Sequence, residues 1–209
     1  MLHIQKATTV HSSEGAQLIL STLDEFGTYL FGFGQKTRAI SALKKFFSMK
    51  RNRFSHANAL FVFSGTNLAG LLMMYKRTEY FRAVAATVCQ LLRVYKLKEA
   101  FKYIKRIFPF RRDEEISRDE LYIAHLAVFP EYRRRGIATY LLERVNTEAL
   151  KLGKPNLSLL VAMENTSAIS LYQKFGFEII GEILHPEQEN STGSAGDYKM
   201  IKKIKKEKK

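Results

Sequence analysis

Two stretches of the chain carry residue types and spacings that can do chemistry. The first is Leu126-Ala127-Val128-Phe129-Pro130-Glu131-Tyr132-Arg133-Arg134-Arg135-Gly136-Ile137-Ala138, with Thr139 next. It reads as an apolar strand, a proline-marked turn and a basic, glycine-containing loop that opens a helix. The free N–H groups of a helix's first turn, together with its dipole, bind a phosphate anion, and a glycine lets the backbone approach closely. Small Ala138 leaves the inner side of such a loop open, and the arginines at 133, 134 and 135 supply countercharge. Taken alone, the stretch is equally an ordinary strand-to-helix loop with solvated arginines.

The second stretch runs Asn165-Thr166-Ser167-Ala168-Ile169-Ser170-Leu171-Tyr172-Gln173-Lys174-Phe175-Gly176-Phe177. The chain here leaves a strand ending at Ala162, caps a helix with Asn165 or Ser167, presents Tyr172 inside it and stops at Gly176. In isolation Leu171, Phe175 and Phe177 read as core residues and Tyr172 as a structural hydroxyl. Other signatures are missing. No Gly-Lys-Ser/Thr follows the first loop, and Gly32-Phe33-Gly34 lacks the third glycine and the preceding strand of a dinucleotide fingerprint. Metal-binding and acyl-enzyme motifs (His-Glu-x-x-His, Cys-x-x-Cys, Gly-x-Ser-x-Gly) do not occur.

Arg-x-x-Gly-x-Ala followed by Asn-x-x-Ala-x-x-x-Tyr-x-x-x-Gly-Phe resembles the two cofactor-binding motifs of the GNAT superfamily of N-acetyltransferases, in the family's order. The resemblance covers about Leu121 to Gly181. It implies an α/β (α+β) three-layer fold with a mixed, mostly antiparallel central sheet flanked by helices, and acetyl-CoA as acyl donor. It also implies transfer to an amine acceptor by direct attack in a ternary complex. Carried over by position, the backbone of Leu126 and Val128, with Ala127 between them, is expected to pair with pantetheine in the manner of an added strand. Arg134, Arg135, Gly136, Ile137, Ala138 and Thr139 are expected to cradle the pyrophosphate, with Arg133 at the loop's basic or amide position. Asn165 would bind the cofactor arm, Lys174 is a further candidate for a phosphate, and Tyr172 would act as general acid to the leaving thiolate.

Direct transfer also needs a base, because an ammonium acceptor must lose a proton before it attacks. On the strand before the loop, one face carries Glu120, Tyr122 and Ala124. The family's more usual base positions fall at Tyr122 and Ala124, neither a ready base. Glu120, acting through a water, is the first candidate and Asp119 the second. His125 is expected on the opposite face, packed or hydrogen-bonded, unless a bulge rotates it. The missing base keeps a second reading open, a non-catalytic acyl-CoA-binding sensor.

The elements that must position these residues follow from periodicity. His3 to Ala7 reads as a strand, Ala16 to Leu23 as a helix, and Gly27, Gly32 and Gly34 as a break. Gln35 to Met49 is helical, with Ile40, Leu43 and Phe47 on one face. Ala59 to Phe63 and Leu68 to Tyr75 flank Ser64-Gly65-Thr66-Asn67 as a hairpin. A regular alternation follows from Leu121: strand to Val128, helix 137 to 152, strand 157 to 162, helix 167 to 174, strand 177 to 183 and, after a Gly/Ser-rich loop, strand 198 to 204. Residues 79 to 108 read as an insertion of one or two basic amphipathic helices. Phe81, Val84, Val88, Leu91, Leu92 and Tyr95 form its apolar stripe, for the core or a homodimer contact, and Pro109 ends it.

At 209 residues with 46% hydrophobic and 26% charged, the chain is expected to be one ordinary folded unit. No apolar run approaches the roughly 20 residues of a membrane span, and no apolar leader follows the N-terminus, so a cytoplasmic location is expected. The lone Cys89, beside Val88, Leu91 and Leu92, is expected to be buried. The net charge of +14 draws polyanions: nucleic acid, an anionic membrane or cofactor phosphates. No recognition helix or zinc spacing supports specific nucleic-acid binding, and the basic tail at 205–209 is expected to be solvated.

Overall fold

The computed structural model describes residues 1–108, 116–184 and 195–204. The expected tail at 205–209, the loop before the last strand and the end of the insertion at Pro109 lie outside them.

The chain opens with β1 (Leu2–Lys6) and three helices, α1 (Ser12–Ser21), α2 (Asp24–Gly32) and α3 (Lys36–Ser48). A hairpin of β2 (Ala59–Ser64) and β3 (Asn67–Lys76) follows, then the insertion helices α4 (Arg77–Cys89), α5 (Leu91–Val94) and α6 (Leu97–Ile107). The remainder alternates: β4 (Glu120–Val128), α7 (Ile137–Lys151), β5 (Asn156–Ala162), α8 (Thr166–Lys174), β6 (Glu178–Leu184) and β7 (Gly196–Lys203). Among the described residues seven strands form one sheet in the order β1-β2-β3-β4-β5-β7-β6, and only the β4–β5 pair among them is parallel. The expected mixed, mostly antiparallel sheet is therefore present.

Alternation along each strand feeds two cores. Phe61, Leu71, Met73, Tyr75, Tyr122 and Ala127 face one side, where they pack with residues of α1 to α6. Val62, Leu72, Leu121, Ile123, Leu157 and Leu159 face the other and pack with α7 and α8. The result is three layers, helix on sheet on helix.

Helix α2 replaces the break expected at the glycines. Gly27 and Gly32 are buried inside it, and a Cβ at Gly27 would meet Leu20 Cδ1 at 2.6 Å, one at Gly32 the Ala39 amide nitrogen at 2.9 Å. These glycines allow close packing against α1 and α3, and the helix is broken only after them, where Phe33 and Gly34 take left-handed φ of 55° and 99°.

The insertion is three helices rather than one or two, and its expected stripe divides. Leu91 and Tyr95 are buried and Phe81 and Val84 half-buried, but Val88 and Leu92 are exposed. The cause is Gln90, whose side-chain amide donates to the Lys50 carbonyl and accepts from Asn52 Nδ2, both at 2.9 Å. It turns the chain between α4 and α5, so one helical period cannot run through both. Cys89, last in α4, is exposed, contrary to the expectation of a buried thiol. Among the described residues no helix is long and apolar enough to cross a membrane.

Candidate functional site

The site begins with a fork in the sheet. β4 and β5 pair only from Glu120–Ile123 with Asn156–Leu159, although β4 continues to Val128 and β5 to Ala162. Beyond Ile123 the two strands part. On its other edge β4 stays paired with β3 as far as Val128, and Phe129 N–H donates to the Ala69 carbonyl at 2.9 Å. Backbone groups alternate sides along a strand, so with 127 and 129 facing β3, those of Leu126 and Val128 face the fork. The Val128 carbonyl accepts from Arg133 Nε at 3.1 Å, a side-chain donor in place of a strand.

The loop after β4 delivers the chain from the fork to the first turn of α7. Pro130 to Tyr132 make a single tight helical turn, and Arg134 and Gly136 then take left-handed φ of 62° and 76°. Gly136 is the N-cap of α7, and no side chain caps that helix, so its first N–H groups stay free of protein acceptors. A Cβ at Gly136 would meet nothing within 4 Å. The glycine is thus favoured by its backbone angle and opens onto free space. Arg133, Arg134 and Arg135 are exposed, Ala138 and Thr139 half-buried. Ile137 is buried in the core shared with α7, so only its backbone can serve a ligand.

Opposite lies α8. Asn165 rather than Ser167 caps it: Asn165 Oδ1 accepts from Ala168 N–H and from the Ser167 hydroxyl, both at 3.2 Å. Tyr172 is buried, its ring 5.7 Å from that of Phe177, in the same cluster as Ile123, Leu126 and Val128 from one arm of the fork and Leu159 and Val161 from the other. Burial pushes its pKa up to about 12. Its hydroxyl makes no hydrogen bond among the described residues, so a proton donor stands without an assigned acceptor. Lys174, at the end of α8, is exposed.

The proton-acceptor candidates separate. Glu120 is buried; Ser117 N–H donates to its Oε2 at 3.1 Å and Lys199 Nζ lies 3.6 Å from its Oε1. Ser158, opposite Tyr122 in the register, is fully buried, its hydroxyl without a partner among the described residues. Tyr122 is buried under Tyr80 of the insertion, ring centroids 5.4 Å apart. His125 does not point to the opposite face. The ladder with β3 slips between Met73 and Met74, and the bulge turns His125 toward α1, where its Nδ1 is 2.7 Å from Thr22 Oγ1. Burial, then Arg53, pushes its pKa down to about 3, so it is neutral. Lys199, Ser158 and Thr22 had no signal in the sequence, since each is brought in by pairing or packing across the fold. Among the described residues no group of three or more His, Cys, Asp or Glu could hold a metal ion.

Comparison with known proteins gives the family and the fold. The model of the acetyltransferase (GNAT) family matches residues 30–177, well over half the chain. "N-alpha-acetyltransferase 50" of Danio rerio is 45% identical over 71 residues, 34% of this chain and 42% of its own length. "Probable N-acetyltransferase san" of Drosophila melanogaster is 39% identical over 71 residues, 34% of this chain and 39% of its own length. The chain thus spans less than half the length of these curated relatives. An N-acetyltransferase structure from Staphylococcus aureus Mu50 superposes with TM-score 0.75 at 23% identity, over 95% of this chain and 99% of that one. A Thermoplasma acidophilum PaiA N-acetyltransferase, solved in complex with coenzyme A, superposes with TM-score 0.52 at 16% identity, over 97% and 99%. These two share the fold.

Proposed function

The chain belongs to the acetyltransferase (GNAT) family, and from that premise we propose that it transfers an acetyl group from acetyl-CoA to an amine by direct attack in a ternary complex. The observation that carries the proposal is the fork. A sheet that leaves the backbone of Leu126 and Val128 unpaired beside an uncapped helix N-terminus offers an amide-bearing arm a strand to join and its pyrophosphate a place to end.

In this reading the backbone of Leu126 and Val128 holds pantetheine, the Arg133 side chain yielding or sharing the Val128 carbonyl. The amides of Arg134, Arg135, Gly136, Ile137, Ala138 and Thr139 surround the pyrophosphate, with arginine countercharge outside. The polar end of Asn165 not used as a cap steadies the arm, and Lys174 is a further phosphate contact.

Glu120, through a water, takes the proton of the ammonium acceptor, and the Lys199 ammonium beside it marks the kind of group this carboxylate holds. The neutral nitrogen then attacks the thioester carbon; the C–N bond forms, the C–S bond breaks, the electron pair leaves on sulfur, and the surplus proton of the new amide nitrogen passes to that thiolate. Tyr172 donates to that sulfur. Its pKa of about 12 sits above the roughly 8.5 of an alkyl thiol, so a hydrogen bond to the departing thiolate is favoured over complete proton transfer.

The deciding experiment is a screen of amines, including small polyamines, aminoglycosides and peptide N-termini, for acetyl-CoA-dependent release of free thiol. Release with at least one acceptor class supports the proposal. Tight CoA binding with no release from any acceptor would instead make the protein an acyl-CoA-binding sensor.

A further inference from the structure

Helix α6 presents two apolar faces. Ala100 and Tyr103, with half-buried Ile107 beside them, pack inward, where Tyr103 lies against Phe31 and Tyr95. A second set, Leu97, Phe101, Ile104 and Phe108, recurs at i, i+4, i+7 and i+11, the spacing of one continuous helical crest. All four are exposed, Leu97 at 74% and Phe101 at 70%. Leu92, also exposed, lies beside Leu97 along the same surface groove, which extends the apolar patch onto α5. The remaining border of α6 is cationic, with Lys98, Lys102 and Lys105 exposed along one edge of the crest. The carboxylate of this helix, Glu99, is already engaged by Arg38 and by Lys96 N–H.

We infer that the α6 crest is a membrane-surface element, seating Leu97, Phe101 and Ile104 at the headgroup–acyl boundary of an anionic bilayer while Lys98, Lys102 and Lys105 pair with its lipid headgroups. Charge decides among the occupants an apolar crest can have. A second copy brings the same lysines and a net charge of +14 against itself, with no free carboxylate on this helix to answer them. A stable protein partner needs roughly 800 Å² of complementary surface on each side. This crest is instead a single row of four side chains on one helix with Leu92 beside it, and its two most N-terminal members are largely exposed. A bilayer requires no shape match, and lysine stems can lie along its apolar boundary while the ammonium groups stay at the phosphates. An apolar face bordered by lysines is the pattern by which a helix lies in, and does not cross, an anionic membrane surface.

The test is co-sedimentation of the full chain with vesicles of phosphatidylcholine alone, or of phosphatidylcholine with about a third phosphatidylglycerol. The wild type should bind the anionic vesicles at least tenfold more tightly than the neutral ones and should release on added salt. A Leu97→Ser/Phe101→Ser/Ile104→Ser variant should bind at least tenfold more weakly, and Lys98→Glu/Lys105→Glu should lose the preference for anionic lipid. Thermal melting by circular dichroism and CoA binding by calorimetry should stay unchanged in both, because none of these side chains is in a core or in the proposed cofactor site. Three results would overturn the inference: no vesicle binding by the wild type, undiminished binding by the serine variant, which would assign it to diffuse charge, or a wild-type dimer in sedimentation velocity that the serine variant abolishes, which would assign the crest to a second copy.

Discussion

Thr22 and His125 join helix α1 to the bulge of β4 through a contact of 2.7 Å between Oγ1 and Nδ1. The Thr22 hydroxyl also donates to the Ile19 carbonyl at 2.7 Å, which commits its one proton. Nδ1 must therefore carry the imidazole proton and donate it to Thr22, leaving Nε2 as a buried lone pair with no partner among the described residues.

That arrangement makes acid costly to the fold. With its pKa near 3 in the folded chain and about 6.5 when unfolded, His125 stabilises the fold fully above pH 6.5, and the contribution is lost as pH falls toward 3. The expected slope from this group is up to roughly 1.4 kcal/mol per pH unit. Urea-denaturation midpoints measured between pH 7 and 5 should fall in the wild type and fall less in His125→Gln. Equal slopes would show that the imidazole is charged in the native state.

Gly136→Leu should weaken CoA binding at least tenfold by calorimetry. The added side chain meets nothing in the free protein and projects into the space where the pyrophosphate is proposed to sit. Gly136→Ala carries the same left-handed strain, on the order of 1–2 kcal/mol, with far less bulk. It should therefore lose stability comparably but affinity much less, and identical CoA affinity in the Leu variant and the wild type would remove the loop from the cofactor site.

Tyr172→Phe should lower kcat about a hundredfold while leaving CoA affinity within a few-fold. Because burial keeps the phenol protonated up to about pH 12, the alkaline limb of the rate profile below pH 10 should be the same in both proteins. A variant that turns over a good acceptor at the wild-type rate would mean that another group or water assists the thiolate.

Glu120→Gln should cut kcat/KM by on the order of a hundredfold, since the amide still accepts from Ser117 N–H but takes no proton. Lys199→Met is the control: it breaks the same buried pair and leaves the carboxylate. If both variants lose activity equally, Glu120 is needed for the pair and not as a base.

Much of the frame was legible in the sequence because it rests on local rules. The β2–β3 hairpin followed from Ser64-Gly65-Thr66-Asn67, α7 from the loop before Gly136, and α8 from its Asn165 cap and Gly176 stop. The rest depended on contacts distant in the chain. Gly27 and Gly32 read as breakers because a glycine needed for helix–helix approach looks the same as one needed for a turn. Gln90 carries no turn signal in the sequence, yet its bonds to Lys50 and Asn52 end α4 and leave Cys89 and Leu92 exposed. The facing of His125 was settled by one extra residue in β4 opposite the Met73–Met74 step, and a bulge leaves little trace in strand alternation. The pairing of Glu120 with Lys199 needed the sheet order, with β7 brought beside β5.

The short β4–β5 ladder makes the sheet mechanically two pieces, strands β1 to β4 and strands β5, β7 and β6, riveted by four residue pairs at one end. At the parted end the N–H groups of Leu126 and Val128 have no protein acceptor among the described residues, so they should exchange their protons quickly while Leu121 and Ile123 a few residues away exchange slowly. A ligand that joins those edges would add rungs where the chain has none. The gain would appear as a stiffer sheet, with slowed exchange confined to the open seam and little change in the outer strands.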